Sequence, residues 1–233
     1  MKTLLVDLDD TLLDYSGGVD ECWTAACRTV AASAGVDTSS LVDAVRKARR
    51  WFWDDPERHR RERVNMLSAW SKIVANGFER LGAPNDALAA AAAEDFAARR
   101  WEVMRLFPGV VEALGRLRDG GVTMALVTNG DKSQQRRKIE RYDLARFFDV
   151  ILIEGEFGAG KPEETVYRHV LERLGVVATE AWMVGDNLEW DVAGPQRLGL
   201  RGIWVDRAGT GLAPDSTVRP HRIIREFPEI CEG

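Results

Sequence analysis

Cysteine is scarce in this chain: Cys22, Cys27 and Cys231 are the 3 found in 233 residues. The set is odd and contains no CxxC pair, so reduced thiols are expected and a tetrahedral thiolate zinc site is not. Histidine is equally scarce and scattered, as His59, His169 and His221, which leaves little for imidazole metal sites or histidine-based triads. Long apolar runs are missing. The longest, Ala87 to Ala93, is seven residues, against the roughly 20 that a membrane-spanning helix needs. The opening MKTLLVDLDD reaches acid at Asp7 and lacks the profile of a secretory signal, so the expected location is the cytoplasm. An excess of basic charge is lacking too, with 32 Lys and Arg against 37 Asp and Glu and a formal net charge of −5. Such a chain has no global field to hold a macromolecular nucleic acid by counterion release. Carboxylate is abundant, and the chemistry is expected to rest on it.

Apolar residues make up 45% and charged residues 30%, the balance of an ordinary globular protein rather than of a disordered or fibrous one. At roughly 150 residues per domain the length suits one large unit with a smaller one attached or inserted. Three aliphatic runs lead into polar loops: LLV before Asp7, VTMALV before Thr128 and AWMV before Gly185. They read as buried parallel strands. Two more, DVILI at 149–153 and RGIWV at 201–205, alternate with amphipathic stretches in the βαβ manner. The fold class is therefore α/β, a doubly wound, Rossmann-like parallel sheet.

Between the first strand and Pro108 the pattern becomes helical. Val64, Leu67, Trp70, Val74, Phe78 and Leu81 recur at steps of three and four and are closed by Gly82 and Pro84, which predicts an amphipathic helix. Ser39 or Ser40 is expected to cap a helix carrying Leu41, Val45, Ala48 and Phe52, and Asn85 to cap the alanine-rich helix that follows. Residues 15–107 are thus expected to form an inserted all-helical domain, with residues 1–14 and 108–233 forming the α/β core. Hinges are placed near 15–18 and 105–109.

Asp7 ends the first strand and Asp9 follows two residues later. At the carboxyl end of a parallel strand both would lie at the crevice where open α/β sheets bind ligands. Two close carboxylates repel unless a cation or a shared proton intervenes, and a hard cation with oxygen ligands, Mg²⁺, is the natural partner. For the two acids alone, a solvated acidic turn is the alternative. In VGDNLEWD, Asp186 follows a second strand as a further ligand, and Asp191, five residues on, caps or orients. Thr128 ends its strand in LVTNG, and Lys161 follows a glycine-rich loop in GAGKP. A hydroxyl, backbone amides and an ammonium together make an anion pocket.

In this order, these residues resemble the four motifs of the haloacid dehalogenase-like hydrolase superfamily, and the resemblance covers the whole chain. Asp7 and Asp9 with Thr11 match the first motif, Thr128 the second, Lys161 the third, and Gly185-Asp186 with Asp191 the fourth. The helical insert resembles the family's small helical cap. DLDDTL, TNG at 128–130 and GDNLEWD resemble the phosphatase branch that includes pyrimidine 5′-nucleotidases and N-acylneuraminate 9-phosphatases, although Trp190 and Pro195 stand where that branch has smaller residues.

The resemblance implies an Mg²⁺-dependent phosphatase acting on a small phosphomonoester, a nucleotide or sugar phosphate, through an aspartyl-phosphate. Asp7 is the implied nucleophile and Asp9 the acid and base. The metal is held by Asp7, Asp186 and the backbone carbonyl of Asp9. Thr128, Asn129 and Lys161 bind the phosphoryl oxygens, and the cap governs access and substrate choice. A phosphomutase, a 2-haloacid dehalogenase and a silent binding module are the rival outcomes, though a dehalogenase lacks a carboxylate at the position of Asp9. A monomer or homodimer is expected, and no membrane partner. Asp10 and Asp14 are assigned to the turn. The run at 58–63, RHRRER, reads as a solvated helix face, and Cys22 and Cys27 as filling of the insert.

Overall fold

The computed structural model describes residues 1–232 and divides into two compact units, Met1–Tyr15 with the chain from Arg105 onward, and Ser16–Met104. In the first unit, β1 (Thr3–Val6) is followed after the helical unit by α-helix Val110–Asp119, β2 (Thr123–Thr128), a helix over Lys132–Arg141, β3 (Val150–Ile153), a helix over Glu164–Leu174, β4 (Ala181–Gly185), β5 (Arg201–Val205) and β6 (Arg222–Ile224). Six strands form one sheet in the order β3-β2-β1-β4-β5-β6, and every neighbouring pair is parallel.

The cause is visible in the strands. Leu4, Leu5, Val6, Met124, Ala125, Leu126, Val127, Met183 and Val184 are all buried, as expected of strands covered on both faces by helices. Each Leu, Val or Met side chain so removed from water contributes about 1.5–3 kcal/mol. β1 lies between β2 and β4, where the strand order reverses, and the carboxyl ends of these strands open the crevice in which α/β sheets bind ligands. The sixth strand, β6, carries no periodic signal, being three residues with Ile223 exposed at the sheet edge.

The second unit contains five helices: α1 (Val19–Ala31), α2 (Thr38–Asp54), α3 (Pro56–Glu62), α4 (Met66–Arg80) and α5 (Asp86–Val103). Trp23, Cys22, Cys27, Phe52, Trp70, Ile73, Phe78 and Phe96 belong to one buried cluster there, with Trp23 and Phe96 stacked at 3.7 Å between ring centroids. Asn85 caps α5 by accepting the Leu88 N–H at 3.0 Å. At α2 the cap is Asp37, which accepts the Ser40 N–H at 2.8 Å; Ser39 and Ser40, the expected caps, instead bond to its carboxylate. A charged acceptor ahead of the first turn serves the unpaired amides better than a hydroxyl inside it. The apolar stripe over 64–81 also needs a correction, because Val64 and Leu67 are exposed and only its later members enter the core. Glu62 of the basic run pairs with Lys72 at 2.5 Å and Arg61 at 3.1 Å. We label the core helices in chain order after these: α6 (Val110–Asp119), α7 (Lys132–Arg141), α8 (Glu154–Phe157) and α9 (Glu164–Leu174). Among the described residues, no helix is long and apolar enough to cross a membrane.

Candidate active site

Asp7 leaves β1 directly, with its N–H bonded to the Val184 carbonyl of β4 at 3.0 Å. Its carboxylate accepts Lys161 Nζ on Oδ1 at 2.6 Å and the Thr11 hydroxyl on Oδ2 at 3.2 Å. The ammonium also donates to Asp191 Oδ1 at 2.6 Å, so one buried cation bridges two buried carboxylates. Lys161 is 1% exposed. Burial opposes its charge, but Asp191 and Asp7 outweigh that cost and hold it protonated, well above the usual lysine range.

Asn129 fixes the lysine's backbone. Its side-chain amide donates to the Lys161 carbonyl at 2.8 Å and its oxygen accepts the Lys161 N–H at 2.7 Å, which aims the lysine stem from the loop after α8 toward β1. The loop after β2 is also tied by the Gly130 N–H, which donates to the Glu154 carboxylate at 2.9 Å.

Asp191 arrives by another route. Residues Leu188–Ala193 form a π-helical turn, a geometry concentrated at functional sites. Asn187 caps it, accepting the Glu189 and Trp190 amides at 3.0 Å each. Asp191 therefore does not cap the turn. It curls back so that Oδ2 accepts the Asn187 N–H at 3.0 Å while Oδ1 takes Lys161. This return is possible because residue 185 is glycine: a Cβ there would lie 2.2 Å from the Asp191 carboxyl. The Tyr167 hydroxyl of α9 donates to the Trp190 carbonyl, and Pro195 lies in the first turn of the short helix Gly194–Gln196 that follows.

Asp186 completes the group. Asp7, Asp186 and Asp191 each offer an oxygen within 4.8 Å of the others, and the Asp186 carboxyl accepts no hydrogen bond from the described residues. Burial and the two neighbouring carboxylates push Asp186 up to about 8. Burial, offset in part by Lys161, pushes Asp7 up to about 7, and burial raises Asp191 as well. Three crowded oxygen donors that resist ionisation together fit a hard divalent cation, which would relieve their repulsion.

Asp9 lies apart from that triad. Its Oδ1 and Oδ2 accept Lys138 Nζ at 2.8 and 2.7 Å, and Oδ2 also accepts Gln135 Nε2 at 3.0 Å. The same Gln135 nitrogen donates to Thr128 Oγ1 at 2.6 Å and to the Asn129 carbonyl at 3.0 Å. Sequence reasoning missed both α7 residues. KSQQRRKIER holds a single apolar residue, Ile139, so apolar spacing marks no inner face, and only the fold shows that Gln135 and Lys138, at a three-residue spacing, face inward. Asp10 adopts φ 59°, a left-handed conformation that aspartate tolerates, and its carboxylate accepts the Tyr15 N–H at 3.0 Å. It shapes the loop, as its assignment to the turn anticipates. His169 packs against Phe157 and His221 against Trp182, and His59 lies in the helical unit.

A family model described as haloacid dehalogenase-like hydrolase matches residues 1–199. A phosphoserine phosphatase of Thermus thermophilus is 33% identical over 99% of this chain and 98% of its own. An N-acylneuraminate-9-phosphatase of Rattus norvegicus is 36% identical over 47% of this chain and 44% of its own. Among solved structures, a magnesium-bound HAD-hydrolase of Bacillus subtilis superposes with a TM-score of 0.73 at 22% identity, covering 98% of this chain and 96% of that one. That last likeness is one of fold.

Proposed function

Because this chain belongs to the haloacid dehalogenase-like hydrolases, we propose that it is an Mg²⁺-dependent phosphatase that hydrolyses a small phosphomonoester through an aspartyl-phosphate on Asp7. The observation that carries the reading is the buried Lys161 ammonium, 2.6 Å from both Asp7 and Asp191, beside the Asp186 carboxyl at the reversal of strand order. The names of the relatives, a phosphoserine phosphatase and an N-acylneuraminate-9-phosphatase, support a small-molecule ester.

In the first step an Asp7 carboxylate oxygen attacks phosphorus, the bond from phosphorus to the ester oxygen breaks, and Asp9 supplies the proton that the departing alkoxide takes up. In the second, Asp9 removes a proton from water, the water oxygen attacks phosphorus, and the Asp7–phosphorus link breaks to release phosphate and restore the carboxylate. Lys161 and the Thr128 hydroxyl bind phosphoryl oxygens and stabilise the charge that spreads over them. Asp7 and Asp186 would hold the magnesium ion, together with the Asp9 backbone carbonyl, and Asp191 holds Lys161 against them. The bound ion would supply neutralisation of the charge between the nucleophile and the phosphate dianion.

Retention of a carboxylate at Asp9 favours phosphoryl chemistry over dehalogenation, which has no alkoxide to protonate. The reading is tested by phosphate release from a panel of metabolite monophosphates and p-nitrophenyl phosphate, with Mg²⁺ and with EDTA. Release that needs both Mg²⁺ and Asp7 is expected, and the preferred ester identifies the substrate class. Near-normal release by Asp7→Asn would overturn it.

A further inference from the structure

The proton-transfer carboxyl is not held by the carboxylate triad or by Lys161. Its partners come from one face of α7. Lys138, 3% exposed, spends two donors on the two Asp9 oxygens at 2.8 and 2.7 Å and lies 4.1 Å above the centre of the Tyr15 ring. Gln135, 2% exposed, reaches Asp9 Oδ2 and Thr128 Oγ1 from a single nitrogen at 3.0 and 2.6 Å. The Asp9 side chain remains 23% exposed, so it is gripped from the protein side and open on the other.

Removing a charged lysine from water is costly unless it is paired. Among the described residues, Asp9 is the carboxylate in ion-pair contact with Lys138. A carboxyl that must deliver a proton and later collect one gains from a fixed orientation, because small misplacements of reacting groups lose large factors in rate. We propose that Lys138 and Gln135 are positioning residues for Asp9, and that Gln135 keeps the proton carrier in register with the Thr128 hydroxyl. This rests on the phosphatase reading and on Asp9 as its acid and base.

The consequence is selective for the leaving group. An alkyl phosphate expels a strongly basic alkoxide and depends on the proton from Asp9, whereas p-nitrophenyl phosphate expels a stable phenolate that depends on it far less. The quantity kcat/KM reports steps up to the departure of that group, so the second half-reaction does not blur the comparison. General acid catalysis contributes about 10²–10⁴-fold in rate, so a misoriented Asp9 should lower the alkyl-to-aryl ratio of kcat/KM by about tenfold or more in Lys138→Met. Gln135→Met should lower the ratio in the same direction. Lys138→Arg keeps the buried charge and a donor fork, and should restore most of the ratio; a purely structural role would not show this pattern.

The experiment measures phosphoserine and p-nitrophenyl phosphate with Mg²⁺ for wild type and the three variants. A wild-type ratio in both Lys138→Met and Gln135→Met, whatever their absolute rates, overturns the positioning role and leaves the phosphatase reading standing. Wild-type protein that hydrolyses no ester of the metabolite panel overturns that reading, and this one with it.

Discussion

Gly185 shows how a single missing Cβ shapes the site. Alanine there would push its methyl to within 2.2 Å of the Asp191 carboxyl, which cannot yield without giving up Lys161 or the Asn187 N–H. Overpacking of this kind costs about 1–3 kcal/mol. Gly185→Ala is therefore expected to lose about that much unfolding free energy, seen as a lower urea midpoint, and to lose at least about tenfold in turnover, on the scale of losses from misplaced catalytic groups; a wild-type midpoint and rate would refute this. Asp7 and Asp186 were legible in the sequence because each follows a hydrophobic run, and a parallel sheet brings such strand ends together; Asp191 was marked only by its place five residues after Asp186. What Asp191 does was not legible. Its spacing suits a helix cap, and only the π turn and the close packing against Gly185 turn it toward Lys161.

Elements differ in how much they disclose. β1, β2 and β4 are read from their aliphatic runs because both faces are covered, whereas β6 is too short and too exposed at the edge to leave a pattern. Helix α7 is the opposite case. Its residues are nearly all polar, so hydrophobic periodicity gives no clue that Gln135 and Lys138 turn inward, and the partners of Asp9 stayed hidden. In the helical unit the apolar spacing did mark α4, but the exposure of Val64 and Leu67 shows that a stripe does not tell where the core stops. One contact joining α1, α4 and α5 within that cluster is aromatic. Phe96 of α5 stacks on Trp23 of α1 at 3.7 Å and meets Trp70 of α4 edge-on at 5.0 Å. Phe96→Ala should cost about 3–5 kcal/mol, seen as an earlier melt and a weaker near-ultraviolet dichroism signal from the tryptophans. A melt equal to wild type would mean that the stack is dispensable.

For the molecule as a whole, the carboxylate cluster works against stability in the absence of a cation. Burial and mutual repulsion push Asp186 up to about 8, and burial, against the pull of Lys161, pushes Asp7 up to about 7, from 3.8. Between those limits the folded chain binds more protons than the unfolded chain, so its stability in EDTA should fall as pH rises through this window. A cation that displaces those protons binds better once they are gone. Mg²⁺ should therefore raise the melting temperature more at about pH 8 than at about pH 5, by linkage of binding to folding. An Mg²⁺ shift that is the same at both would contradict the assignment of these acids as ligands.

Asp7 as the acceptor of the phosphoryl group is the claim on which the functional account turns. Its most direct test is an acid-quenched single turnover of a phosphomonoester in Mg²⁺, with mass spectrometry of the peptide that contains Asp7. The account predicts a covalent phosphate on that peptide, formed faster than free phosphate appears and absent from Asp7→Asn. Release of phosphate at the wild-type rate from Asp7→Asn, or a covalent phosphate on a different residue, would contradict it.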